Sequence, residues 1–221
     1  NWATNNDIKL PILADRKEVD VLYWVGCAGS FDPRNQSISR SIVNILNKAG
    51  VDYAVLGKEE SCTGDSARRL GDEYLFETLA KKNIDTLNKY KFNTVITSCP
   101  HCFHVISKEY PDFGGNYNVM HHSDFINDLL NEKTINVKPY LSETITYHDA
   151  CYLSRHDDII SPPRELLSMT STNNNIVEMK NNKKNSFCCG AGGGNMWHEI
   201  NKGSRMNVER FQEAIDTGAK T

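Results

Sequence analysis

Seven cysteines at recurring intervals constrain this chain more than any other feature. They stand at Cys27, Cys62, Cys99 and Cys102, then at Cys151, Cys188 and Cys189. Cys27 to Cys62 is a step of 35 positions and Cys151 to Cys189 a step of 38, so the two sets read as a degenerate repeat. In the first set Cys99 lies 37 positions after Cys62, and Cys102 completes "CPHC". The same step taken from Cys189 lands five residues past Thr221, and Thr94 and Thr221 both lie 32 positions after their cysteines. The repeat therefore predicts a second half cut off before its own Cys-x-x-Cys. An odd cysteine count, with the polar opening "NWATNNDIKL" in place of a signal-peptide pattern, argues for reduced thiols and a cytoplasmic setting over a disulfide scaffold.

Between the cysteines, apolar runs alternate with helical patterns. "VLYWVG" (21–26), "DYAVLG" (52–57) and "NTVITS" (93–98) read as buried strands, and two of them run straight into a cysteine. Residues 37–50 read as a helix stopped by Gly50, and 66–90 as one long amphipathic helix with Leu70, Tyr74, Leu75, Leu79, Ile84 and Leu87 on its apolar side. "NYNVMHH" (116–122) and the helix 123–131 close this half. A second round follows: "ETITYHDA" before Cys151, a helix from "SPPRELLSM" (161–169), "NIVEM" (175–179), then a helix from about Met196 to Ala214. Strand–helix alternation implies an α/β fold of two similar Rossmann-like βαβ halves, with parallel sheets and cysteine loops at the strand carboxyl ends. The boundaries are a linker at 1–20, a first half at 21–135 and a second at 141–221. Net charge is −3, which leaves no electrostatic footprint for nucleic acid. No apolar run reaches the roughly 18 residues needed to cross a bilayer.

Four thiols at one sheet edge suit zinc, an iron–sulfur cluster or, for a Cys-x-x-Cys alone, a redox dithiol. "CCGAGGG" (188–194) shifts the balance, because consecutive glycines sacrifice local stability where a backbone must pass close to something larger than one ion. Glycine N–H groups at Gly190 and Gly192 can also hydrogen-bond to sulfur, as can His101 inside "CPHC", while His148 before Cys151 can orient a ligand. Arg68 and Arg69 read as a solvated face, His121, His122 and His156 as surface or cap residues, and Trp24 and Trp197 as apolar bulk. No residue is marked as catalytic.

The wording "YWVGCAGSFD", "ESCTGD", "CPHCF", "YHDACYL" and "CCGAGGGNMW" resembles the cysteine-rich CCG domain, which is repeated in heterodisulfide reductase subunits. It is most similar to fatty-acid-associated iron–sulfur reductases that pass electrons from electron-transfer flavoprotein to quinone. The resemblance covers residues 20–221 and implies part of an iron–sulfur oxidoreductase, an electron-transfer module rather than a self-sufficient enzyme. It implies a 4Fe-4S cluster, of the noncubane type in the second half, on Cys151, Cys188 and Cys189. In the first half Ser61 stands where the family has the first cysteine of a pair, leaving Cys27, Cys62, Cys99 and Cys102. It implies as partners the ferredoxin-like and membrane domains of a parent chain or complex, electron-transfer flavoprotein among them, and a place at the inner face of the membrane. Disulfide reduction and a zinc-stabilised interaction domain are the alternatives.

Overall fold

The computed structural model describes residues 2–3, 10–197 and 203–221. They fall into two compact units, Asn1–Ile135 and Asn136–Thr221. The first unit runs α1 (Leu13–Arg16), β1 (Val21–Trp24), α2 (Gly26–Phe31), α3 (Pro33–Lys48), β2 (Tyr53–Ala54), α4 (Asp65–Arg69), α5 (Glu73–Leu87), β3 (Thr94–Thr97), α6 (Pro100–His104), β4 (Val119–His121) and α7 (His122–Asn131). The four strands form one all-parallel sheet in the order β2-β1-β3-β4.

β1 carries no charged side chain because both faces of the sheet are covered. Its residues alternate between two cores, as the two-residue strand period requires. Leu22 and Trp24 pack with Phe76, Ala80, Ile84 and Leu87 of α5, while Val21 and Tyr23 pack with Ile42, Val43 and Leu46 of α3. α3 begins four residues before the apolar pattern does. Asp32 caps it, accepting from the Asn35 N–H at 2.9 Å, and Pro33 fills the first turn.

The long helix expected over 66–90 is two helices. Gly71 adopts φ +87° between them, and Asp72 then caps α5 through the Leu75 N–H at 3.0 Å. The break resets the helical phase: Phe76, Ala80, Ile84 and Leu87 face inward. Leu70, Tyr74 and Leu75, expected on the apolar side, are 59%, 83% and 44% exposed.

The second unit contains α8 (Ser161–Thr170) and α9 (Met206–Asp216). The strands expected at 143–150 and 175–179 are reduced to isolated parallel bridges, Leu141↔Ser171 and Ile145↔Ile176. The reason lies in the side chains: after Ile145 the segment reads Thr-Tyr-His-Asp, and His148 and Asp149 are engaged by arginines rather than by a neighbouring apolar layer. The C-terminal residues run alongside, with Thr146 N–H donating to Thr221 C=O at 2.8 Å and Lys220 N–H to Thr144 C=O at 2.9 Å. Ile145 stands six residues before Cys151, as Val21 stands six before Cys27; Val21 is partnered by Thr94 in β3, and Ile145 is flanked by hydrogen bonds to Thr221. The helix expected from Met196 opens as a 3-10 turn at Asn195–Trp197; 198–202 lie outside the described residues, and α9 starts only at Met206. Among the described residues no helix is long and apolar enough to cross a membrane.

Candidate functional site

In a parallel sheet the carboxyl ends of all strands meet one edge, and three loops of the first unit carry thiols there. Cys27 enters α2 directly after β1, Cys62 lies between β2 and α4, and Cys99 caps α6 after β3 with Cys102 inside that helix. The thiols form two hydrogen-bonded pairs. Cys27 donates to Cys62, which with the Gly64 N–H at 3.4 Å draws the Cys62 thiol down to about 6 and pushes Cys27 up. Cys102 donates to Cys99, whose thiol also falls to about 6 while that of Cys102 rises. Cys27 feels the charge of Cys99, and Cys102 that of Cys27, so the two pairs face a common region. Among the described residues no three Cys, His, Asp or Glu side chains close on a point that a single ion could occupy.

Residues that sequence reasoning passed over hold these loops. The Glu60 carboxylate accepts the Val25 N–H at 3.0 Å and the Gly26 N–H at 2.7 Å, tying the Cys62 loop to the end of β1. Burial pushes its carboxyl up to about 7 against those two donors. Gly26 adopts φ +78°, and a Cβ there would sit 3.5 Å from the Cys102 sulfur, so the backbone passes against the thiols in a conformation glycine alone adopts freely. Thr63 Oγ1 lies 3.8 Å from the same sulfur. Asp65, at the start of α4, meets His101 Nδ1 at 2.9 Å and Arg69 at 3.2 Å. Burial works to raise Asp65, but His101 and Arg69 outweigh it and hold the carboxyl below its usual range. The signal was present in "ESCTGD": carboxylates two before and three after Cys62 have no reason to enter a buried loop unless partnered.

Arg68 and Arg69 do not form a solvated face. Arg68 meets Glu109 at 3.2 Å and Arg69 also pairs with Glu109, a buried carboxylate beyond α6. His121 is a cap, receiving the Ser123 N–H, but it is buried rather than on the surface. Burial also depresses both imidazoles, His121 to about 3 and His122 to about 4. Trp24 is core, fully buried; the side chain of Trp197 lies outside the described residues.

In the second unit Cys151 feels the charges of Cys188 and Cys189; burial first and then these two push its thiol up. Gly190 N–H donates to the Cys188 sulfur at 3.3 Å. Gly190 has φ +76°, a conformation glycine alone adopts freely, and a Cβ there would press on Met206 Cβ at 3.3 Å at the start of α9. Gly192 serves the turn instead: its carbonyl accepts from Asn195 N–H and Nδ2. His148 Nδ1 accepts from Arg210 Nε at 2.9 Å, and burial lowers its pKa. Asp149 is clamped by both Arg164 terminal nitrogens at 2.7 and 2.8 Å and by the Lys183 N–H at 2.7 Å. Arg164 in turn holds Glu178 at 2.7 and 2.9 Å.

The profile of the cysteine-rich (CCG) domain matches residues 21–107 and 145–221, one stretch in each unit. The chain is similar to the "Probable iron-sulfur-binding oxidoreductase FadF" of Bacillus subtilis, 40% identical over 97% of this chain and 31% of that protein. It is 43% identical to the "EtfAB:quinone oxidoreductase" of Syntrophomonas wolfei over 69% of this chain and 21% of the relative. A component of the dihydromethanophenazine:CoB--CoM heterodisulfide reductase of Methanosarcina mazei is 32% identical, over 76% of this chain and 41% of its own length. The chain thus spans well under half the length of each of these relatives.

Proposed function

This chain belongs to the cysteine-rich CCG domain family, and from that premise we propose that it is the iron–sulfur electron-transfer module of an oxidoreductase. Residues 21–135 form the first CCG repeat and 141–221 the second. In this reading Cys27, Cys62, Cys99 and Cys102 hold one cluster, and Cys151, Cys188 and Cys189 contribute to another, of the noncubane 4Fe-4S type. When bound, such a cluster supplies one-electron transfer. The parent protein takes electrons from a flavoprotein or ferredoxin-type donor, delivers them to a quinone, and is tethered at the membrane by domains outside this chain.

The observation that carries the proposal is the arrangement of the first four thiols. Four thiols from three loops, in two hydrogen-bonded pairs, face one region, and Glu60 and Asp65 hold the loops that carry them. Four thiols brought to one sheet edge by three loops suit a cluster ligated by four cysteines. The residues fit the group in a second way: Gly64 and Gly190 present N–H groups to cysteine sulfur, as cluster ligands require for tuning. The chain's own residues set the loops and bring the backbone close to sulfur at Gly26 and Gly190.

The test is anaerobic reconstitution of the full chain with iron and sulfide. Broad visible absorption and iron that falls by about half in Cys62→Ser are expected. A colourless protein carrying one zinc per chain overturns the proposal. The similarity to the heterodisulfide reductase component favours a second reading, disulfide cleavage at the second-unit site. Turnover of a disulfide by the reduced protein, lost in Cys188→Ser, distinguishes it from electron transfer alone.

A further inference from the structure

Three of the four strand ends in the first unit lead towards cysteines: β1 to Cys27, β2 to Cys62 and β3 to Cys99. The fourth, β4, leads into two histidines, His121 and His122, whose ring centroids lie 4.2 Å apart. Neither has a part in the thiol pairs, although β4 lies beside β3 and ends at the same edge.

The backbone of β3 explains their position. Its pairing with β4 ends at Thr97↔His121, so the Ser98 carbonyl lies past the last paired residues, on the turn into Cys99. A carbonyl there takes its donor from outside the ladder. His121 Nε2 stands 3.3 Å from the Ser98 carbonyl oxygen, and the His122 ring bonds the carbonyl of Thr97. A carbonyl oxygen only accepts, so Nε2 of His121 carries the hydrogen. Nδ1 is then the acceptor, and Ser123 supplies it with a backbone N–H at 3.4 Å and a hydroxyl at 2.7 Å. The tautomer is fixed from both sides. Nearer the thiols, Thr97 Oγ1 accepts the Cys99 N–H at 3.3 Å, and Phe103 meets the His121 ring edge-on at 6.4 Å between centroids. Thr97, Ser98 and Phe103 bracket "CPHC", and each touches one of the two imidazoles.

We propose that His121, in its Nε2–H form, is a positioning residue that holds the turn into Cys99 from the fourth strand. It does for "CPHC" what Glu60 does for Gly26. The proposal rests on the cluster reading of the thiol edge and adds to it a residue that contributes no ligand.

Asn and Gln divide the two ring nitrogens between them. Asn at 121 offers an oxygen near the place of Nδ1 and keeps the cap of α7, whereas Gln reaches further and offers an N–H near the place of Nε2. In the metal-free full chain, hydrogen exchange read by mass spectrometry is expected to quicken about tenfold across 99–104 in His121→Asn, with 122–131 unchanged. His121→Gln is expected to show the reverse. After anaerobic reconstitution with iron and sulfide, His121→Asn is expected to lose iron to a chelator roughly tenfold faster than the native chain, and His121→Gln at the native rate. Protection across 99–104 that survives in His121→Asn, or is lost equally in both variants, overturns the clamp. Should His121→Asn unfold the unit, His121→Gln decides: protected 99–104 beside a frayed α7 upholds the clamp, and loss there overturns it. The crossed pattern in a chain that takes up no iron supports the clamp and overturns the cluster reading. Iron uptake without the crossed pattern does the opposite.

Discussion

The two units carry the same kind of cysteine frame on different interiors. Six residues before Cys27 begins Val-Leu-Tyr-Trp-Val-Gly, and six before Cys151 begins Ile-Thr-Tyr-His-Asp-Ala. Where the first unit buries Trp24 completely in an apolar cluster, the second places His148 against Arg210. Where the first has Val25, the second has Asp149, 1% exposed and clamped by Arg164. The apolar version makes a four-stranded sheet, while the charged version makes isolated bridges. A thiol-bearing edge therefore does not depend on a continuous hydrophobic strand behind it. It needs a backbone held at the right register, and an ion-pair network can supply that when every member is paired.

The sharpest way to break this comparison is to unpair the network. Arg164→Met leaves Asp149 and Glu178 without their shared cation, and removing one partner of a buried pair costs about 3–5 kcal/mol. Hydrogen exchange read by mass spectrometry is expected to show lost protection across 145–186 and none across 21–97. Equal loss in both units would mean that they do not stand on separate cores.

Acid separates them in the opposite direction. His121, buried, and His122, half-buried, are neutral in the first unit, with pKa values depressed to about 3 and about 4 against 6.5 when unfolded. The unfolded chain therefore binds protons that the folded one refuses as pH falls below about 6.5, and stability declines. It is full above about pH 7, and roughly 2–4 kcal/mol is lost by pH 5, at about 1.4 kcal/mol for each tenfold change in proton affinity. Denaturant melts of the first unit at pH 7 and pH 5 measure this, and His122→Gln is expected to halve the difference. An unchanged midpoint would show that these imidazoles are charged in the fold.

The smallest effect tests the local rules by which the first unit is built. Asp72→Ala removes the cap of α5 and is expected to cost about 1 kcal/mol, visible as a lower denaturation midpoint with unchanged slope. No change would show that Gly71 alone sets the break between α4 and α5.

What could be read from the sequence divides along the same line as the two units. β1 and β3 were legible because apolar runs buried on both faces have no other use in a chain of this composition. The site edge was legible because cysteines follow those runs. The break at Gly71 was not, since a helical period continues across a turn that merely shifts its phase, and that period puts Leu70 and Tyr74 on the wrong face. The second unit misled more. "ETITYHDA" and "NIVEM" have strand composition, but Asp149 and Glu178 find Arg164 from α8, and such long-range pairing leaves no periodic trace. Glu60 and Asp65 were missed for the same reason, their partners lying in other loops.

The clamp that Glu60 places on Gly26 joins residues 34 positions apart. Closing a loop of that length is opposed by chain entropy until the intervening helix and strand have packed. Cys27 and Cys62 therefore meet late in folding, after α3 and β2 are in place, and Cys99 and Cys102 join only when β3 is added. A nascent chain presents Cys27 and Cys62 apart from the close-set Cys99 and Cys102, and the four thiols share an edge only once β1, β2 and β3 stand in one sheet.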